Sequence, residues 1–127
     1  MQYIISGNPI TKKNSQRIVL AGGHPRIVQS QQYKAYRERS LWQLAGQRPK
    51  QPIEEPVNVG CRYYMQTRRI PDLVNLLEAT LDILVDAGIL KDDNAGIVAS
   101  HDGCEVLYDK QNPRVEIVIE CKKGESQ

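Results

Sequence analysis

At 127 residues the chain has room for one domain with a self-supporting core and none for a second. With 25% charged and 40% hydrophobic residues it reads as globular; no signal peptide opens it and no apolar run approaches the roughly 20 residues of a membrane span, so a cytoplasmic protein is expected. The net charge of +2 hides a division, with 12 Lys and Arg against 3 Glu in residues 1–70 and 5 against 12 acids in residues 71–127.

A basic half suits phosphates and an acidic half suits divalent metal; alternatively, the fold interleaves the halves and each neutralises the other. Cys61, Cys104 and Cys121 are odd in number, widely spaced and form no Cys-x-x-Cys. With His24 and His101 the only histidines, neither a disulfide framework nor a structural zinc site is expected.

Tyr3-Ile4-Ile5 predicts a short first strand, broken by Ser6-Gly7-Asn8-Pro9. The polar loop from Ile10 to Arg17 carries Lys12, Lys13, Asn14 and Arg17, which reads either as a solvated loop or as a clamp on a phosphate backbone. Arg17–Leu20 and Arg26–Val28 flank Ala21-Gly22-Gly23-His24-Pro25, the pattern of a β-hairpin. Ser30 then suits the N-cap of a helix through Gly46, with Tyr33, Arg37, Leu41 and Leu44 at helical spacing. Tyr33, Tyr36 and Trp42 are expected in the core rather than stacked on bases.

Beyond the loop Arg48–Pro52, Val57, Val59, Cys61, Tyr63 and Met65 alternate with their neighbours, so one strand with one buried face is predicted. It leads through Arg68-Arg69 to a second helix. Leu73, Leu76, Leu77, Thr80, Leu81 and Leu84 make that helix's apolar face, and Asn75, Glu78, Asp82 and Asp86 its polar one. Pro71 precedes its start, Asp72 suits its N-cap and Gly88 its end.

Asp72 thus opens the helix, and Asp92-Asp93 follow the turn that closes it. Carboxylates converging from separate segments are hard ligands for Mg²⁺ or Mn²⁺; the plain alternative is a cap and a turn. Arg68 and Arg69 would hold a phosphate strand beside such a site, or pair with its acids. Ala95–Ser100 and Arg114–Cys121 read as the last strands, joined through the turn Ser100-His101-Asp102-Gly103 and a loop with Tyr108, Asp109, Asn112 and Pro113. The expected fold is α/β (α+β): one domain over residues 1–121, a largely antiparallel or mixed sheet of about four to six strands with two helices packed on it, and a fraying polar tail over 122–127.

Asp72-Leu73-Val74-Asn75-Leu76, with Ala79, Asp82, Gly88 and Asp92-Asp93 downstream, resembles the signature region of RusA-type Holliday junction resolvases. These small, often prophage-encoded endonucleases carry Asp-Leu-Asp-Asn-Leu, a Lys four residues after its second Asp, and a later Asp-Asp. The likeness extends to the early strand, to Pro9 with Lys12-Lys13-Asn14, and to the final strand. It implies a RusA-like fold and a homodimer that nicks branched DNA, such as four-way junctions, with Mg²⁺ or a substituting Mn²⁺. Asp72 and Asp93, with Asp92, are the implied metal-binding and catalytic acids. Lys12, Lys13, Asn14, Arg17, Arg68 and Arg69 are the expected DNA contacts.

Two positions depart from the pattern. Val74 stands where the family has its second Asp, and Glu78 where it has the Lys. Glu78, one helical turn on, and Asp102 are the acids available as replacements, Glu78 being counted with the catalytic residues. The other reading of these departures is a RusA-like protein that binds junction DNA without cutting it.

Overall fold

Period-two alternation decides the central strand: Val57–Met65 buries Val57, Val59, Cys61, Tyr63 and Met65 on one face, while Arg62 stays exposed. The computed structural model describes residues 1–12, 16–29 and 31–122. In chain order its elements are β1 (Gln2–Ser6), β2 (Gln16–Ala21), β3 (His24–Gln29), α1 (Gln31–Ala45), β4 (Val57–Met65), α2 (Leu73–Asp86), β5 (Val98–Ser100), β6 (Glu105–Tyr108) and β7 (Arg114–Cys121).

Five strands make one mixed sheet in the order β1-β7-β4-β5, with β6 also paired to β4. The pairs β1/β7 and β7/β4 are antiparallel, whereas β5 and β6 run parallel to β4. The parallel sense follows from connectivity, because a chain leaving β4 and returning through α2 re-enters the sheet in the same direction. β2 and β3 form a separate hairpin, in register from Gln16 opposite Gln29 to Ala21 opposite His24. The mixed α+β architecture is therefore the one the sequence predicts.

α1 packs on β1 and on α2. Gln43 fastens it to the sheet edge, accepting from the Ser6 N–H at 2.8 Å and donating to the Ser6 carbonyl at 3.1 Å. Its buried residues are Tyr33, Tyr36, Ser40 and Leu44. Trp42, expected in the core, is 84% exposed. At about 100° per residue it lies roughly 200° round the helix from buried Ser40, so the packing of Tyr33 and Tyr36 turns it to solvent.

α2 supplies the centre of the core. Leu76, Leu77, Ala79, Thr80, Ile83 and Leu84 are buried, so the apolar stripe is rotated towards Ile83 relative to the predicted face, and Leu81 is only half-buried. Each fully buried Leu or Ile contributes roughly 1.5–3 kcal/mol. Thr80, the polar residue in this stripe, is satisfied: its hydroxyl donates to the Leu76 carbonyl at 2.9 Å and meets the Tyr63 hydroxyl at 2.7 Å.

The ends of α2 have local causes. Asp72 is the N-cap, its Oδ1 accepting from the Val74 and Asn75 N–H groups at 3.0 and 3.3 Å. After the helix, Gly88 takes φ +79°, its N–H bonds the Val85 carbonyl at 3.0 Å and that of Ile89 bonds Leu84 at 3.0 Å, the paired bonds of a Schellman stop.

Two expectations at the C-terminal end need correction. Ala95–Ile97 form a turn, leaving β5 only Val98–Ser100, and Glu105–Tyr108, expected in a loop, is a strand. Both follow from β4, whose nine residues offer β5 a short pairing at Val57–Asn58 and β6 a longer one at Arg62–Met65. The intervening turn crosses above Gly60, where a Cβ would lie 2.7 Å from the Asp102 carbonyl oxygen. Lys122, expected to fray, donates its N–H to the Pro56 carbonyl at 3.0 Å; the rest of the predicted tail, and the Ser30 cap, lie outside the described residues. Among those residues no helix is long and apolar enough to cross a membrane.

Candidate functional site

The outer side of α2 and the segment after it carry most of the candidate acids. Ile53 fixes that segment in place: its N–H donates to the Ile89 carbonyl at 2.8 Å, and the Lys91 N–H donates back to the Ile53 carbonyl at 2.9 Å. Asp92 and Asp93 follow directly and are exposed. Asp92 folds into a local turn, accepting from the Asp93 N–H at 2.7 Å and from the Asn94 amide at 3.2 Å.

Asp93 feels this crowding. Loss of solvent pushes its carboxyl up from the usual range, and the Asp92 side chain and the charge of Asp82 push it further. Asp82 thereby belongs to the same acidic field. It lies ten residues past Asp72, about 15 Å of helical rise, so the α2 acid that acts on Asp93 together with Asp92 belongs to the C-terminal half of the helix.

A cation enters this field from the N-terminal loop. The Lys12 ammonium pairs with Asp82, and that bond chiefly raises it above the usual lysine range, with the nearby Tyr33 and Glu78 adding to the effect. Glu78 itself is exposed, one turn before Asp82. Where the resemblance expects a lysine within the helix, this chain places Glu78 and delivers a lysine from a loop 70 residues from Asp82. Asp86, at the end of the helix, is taken by Arg37 of α1 at 2.6 Å.

The other end of α2 differs in character. Asp72 is exposed and its Oδ1 is committed to the cap, leaving Oδ2 outside that task. Val74, at the position of the family's second Asp, is 68% exposed, and Ile70 is 93% exposed. Arg69 and Pro71 border a cleft of about 590 Å³ with Asn8, Thr11 and Gln32. Arg68 lies over the Tyr108 ring at 4.0 Å, a cation–π contact that fixes its direction.

Asp72, Asp92 and Asp93 are not drawn into one group, for among the described residues no three His, Cys, Asp or Glu side chains gather as a metal-holding cluster. Asp102 stands apart from α2. Asn58 grips its turn on β4, accepting from the Asp102 N–H at 2.7 Å and donating to its carbonyl at 3.0 Å. Lys13 and Asn14 lie outside the described residues. The sequence places Asp82 on the polar face of α2 and in the motif, and Lys12 among the expected DNA contacts; their pairing has no local signal, because it joins a loop to a helix 70 residues along the chain.

Fold and site together define a mixed-sheet α+β domain built around an acidic helix whose charge is bordered by lysine and arginine. The family model described as Endodeoxyribonuclease RusA matches residues 6–120, and the chain belongs to that family. It is 26% identical over 94 residues to the crossover junction endodeoxyribonuclease RusA of Aquifex aeolicus (strain VF5), a match that covers 74% of this chain and 72% of that relative.

Proposed function

We propose that this protein is a Mg²⁺-dependent endonuclease, with Mn²⁺ able to substitute, that nicks four-way junctions and other branched DNA in the cytoplasm. The observation that carries the reading is the family match over residues 6–120, which takes in α2 and both of its acidic ends. The donor set fits the ion: Asp72, Asp92 and Asp93 offer only hard oxygens, and Mg²⁺ takes one or two carboxylates together with water and substrate phosphate. The crowding of Asp93 by Asp92 supports the same assignment, since a cation relieves it.

In this reading Asp92 and Asp93 would hold the ion; Asp72, which the structure leaves apart from them, would join only as ion and DNA draw the two ends of α2 together. A bound divalent ion supplies an activated water and charge to stabilise the leaving oxygen. Lys12 offsets Asp82 and Glu78, so that a phosphate meets a less negative surface. Arg69, exposed beside Asp72, holds the strand to be cut; Lys13, Asn14, Arg17 and Arg68 complete the DNA contacts. Two such sites are needed to cut a junction symmetrically, so the working form is a homodimer, which light scattering would register.

The test uses a labelled four-way junction with the parent, Asp93→Asn and Asp72→Asn. Mg²⁺-dependent nicking by the parent, with binding but no nicking by either variant, is the expected result. Nicking that survives chelation, or that Asp93→Asn retains, overturns it. A second reading, junction binding without cleavage, is favoured by exposed Val74 in place of the family acid; a parent that binds the junction and leaves it intact with Mg²⁺ and Mn²⁺ would establish it.

A further inference from the structure

We propose that Cys61 and Cys104 form an oxidation site, a dithiol that a peroxide converts to a reversible disulfide. The two lie 43 residues apart in the chain, and their spacing in sequence gives no sign of a pair. The parallel pairing of β4 and β6 brings them together. Its register starts with Arg62 opposite Glu105, so the residues one step earlier, Cys61 and Cys104, lie across from each other. Cys104 stands just ahead of β6 and meets the Cys61 N–H with its sulfur, and a disulfide spans Cα atoms roughly 4.4–6.8 Å apart, the range in which neighbouring chains of a sheet lie.

The side chains agree with the register. The Cys104 sulfur accepts from the Cys61 backbone N–H at 3.3 Å, and its thiol lies 3.6 Å from the Val59 carbonyl, so it rests on β4. Cys61 is fully buried and Cys104 half-buried, so Cys104 is the member of the pair that solvent reaches. Their acidities divide in the same sense. The Cys104 thiol is lowered to about 6, first by its hydrogen bond with Cys61 and then by the Cys61 N–H and His101, against burial and Asp102. That of Cys61 is pushed well up by the bond to Cys104 and by burial. Cys104 is thus the nucleophile and Cys61 the partner that resolves it.

The Cys104 thiolate attacks one oxygen of hydrogen peroxide; the O–O bond breaks, hydroxide leaves, and the sulfur is oxidised to a sulfenic acid while the peroxide is reduced. The Cys61 sulfur then attacks the sulfenic sulfur. An S–S bond forms, the S–O bond breaks, and the hydroxyl departs with the Cys61 proton as water. An external thiol reverses the bond. Because Cys104 follows the turn that Asn58 grips, the disulfide ties this turn covalently to β4.

The experiment treats the folded protein carrying Cys121→Ser with a modest excess of hydrogen peroxide, alkylates it under denaturing conditions, and maps the peptides by mass spectrometry. A Cys61–Cys104 linked peptide, lighter by two hydrogens and lost on treatment with dithiothreitol, is the expected result. In Cys61→Ser the sulfenic acid on Cys104 persists and is trapped by dimedone, while in Cys104→Ser the Cys61 thiol is recovered reduced. Recovery of both cysteines alkylated, or of Cys104 as sulfinic acid with no linked peptide, overturns the proposal. The linked peptide decides the case even if the buried Cys61→Ser variant fails to fold.

Discussion

Asp72 has two tasks that substitution separates. Its Oδ1 caps α2 through two backbone N–H groups, while its charge serves the proposed metal site. Asparagine caps a helix about as well as aspartate, whereas alanine costs about 1 kcal/mol. Urea unfolding of Asp72→Asn should therefore match the parent within a few tenths of a kcal/mol, and Asp72→Ala should lose about 1 kcal/mol, while both lose nicking. A nicking Asp72→Asn would leave the residue with the cap alone.

Elements respond according to the face a residue occupies. On α1, Trp42 is exposed and Leu44, two positions on, is fully buried. Trp42→Ala should change stability by no more than about 0.5 kcal/mol, and Leu44→Ala should cost about 2–5 kcal/mol; thermal unfolding of the two variants checks the contrast. On β4, Gly60 carries a different constraint. The turn above it brings the Asp102 carbonyl oxygen to 2.7 Å from where a Cβ would stand, and that oxygen is backbone, held by Asn58. Gly60→Ala should therefore destabilise the fold by about 1–3 kcal/mol, and amide exchange should show the loss at residues 98–108. Equal protection there in variant and parent would mean that the turn yields freely.

For the whole molecule, the opposed charges of the two halves meet in space. Lys12 pairs with Asp82, Arg37 with Asp86 and Arg62 with Glu105, so three of the twelve cations of the basic half are engaged by acids of the other half among the described residues. Arg69 enters no such pair among the described salt bridges and borders the cleft beside Asp72. Each phosphate neutralised adds about 0.9 to the slope of log K against log salt. Anisotropy titrations of junction DNA over a salt series should therefore show the slope falling by about 1 in Arg69→Ala and unchanged in Arg62→Ala. Equal slopes in parent and Arg69→Ala would remove that residue from the phosphate contacts.

What the sequence determined by itself was local in origin. The buried face of β4, both ends of α2 and the hairpin turn depend on alternation, capping and glycine, each readable within a few residues. The motif from Asp72 to Asp93 likewise pointed to the family that the match over residues 6–120 supports. Only the tertiary structure decided the rest. The strand at Glu105–Tyr108 exists because β4 has an edge to pair, and Trp42 faces solvent because two tyrosines claim the inner side of its helix. Lys12 on Asp82 and Cys104 on Cys61 join segments 70 and 43 residues apart. Pairings of that kind arise when the chain closes on itself, and no pattern within a window of the sequence encodes them.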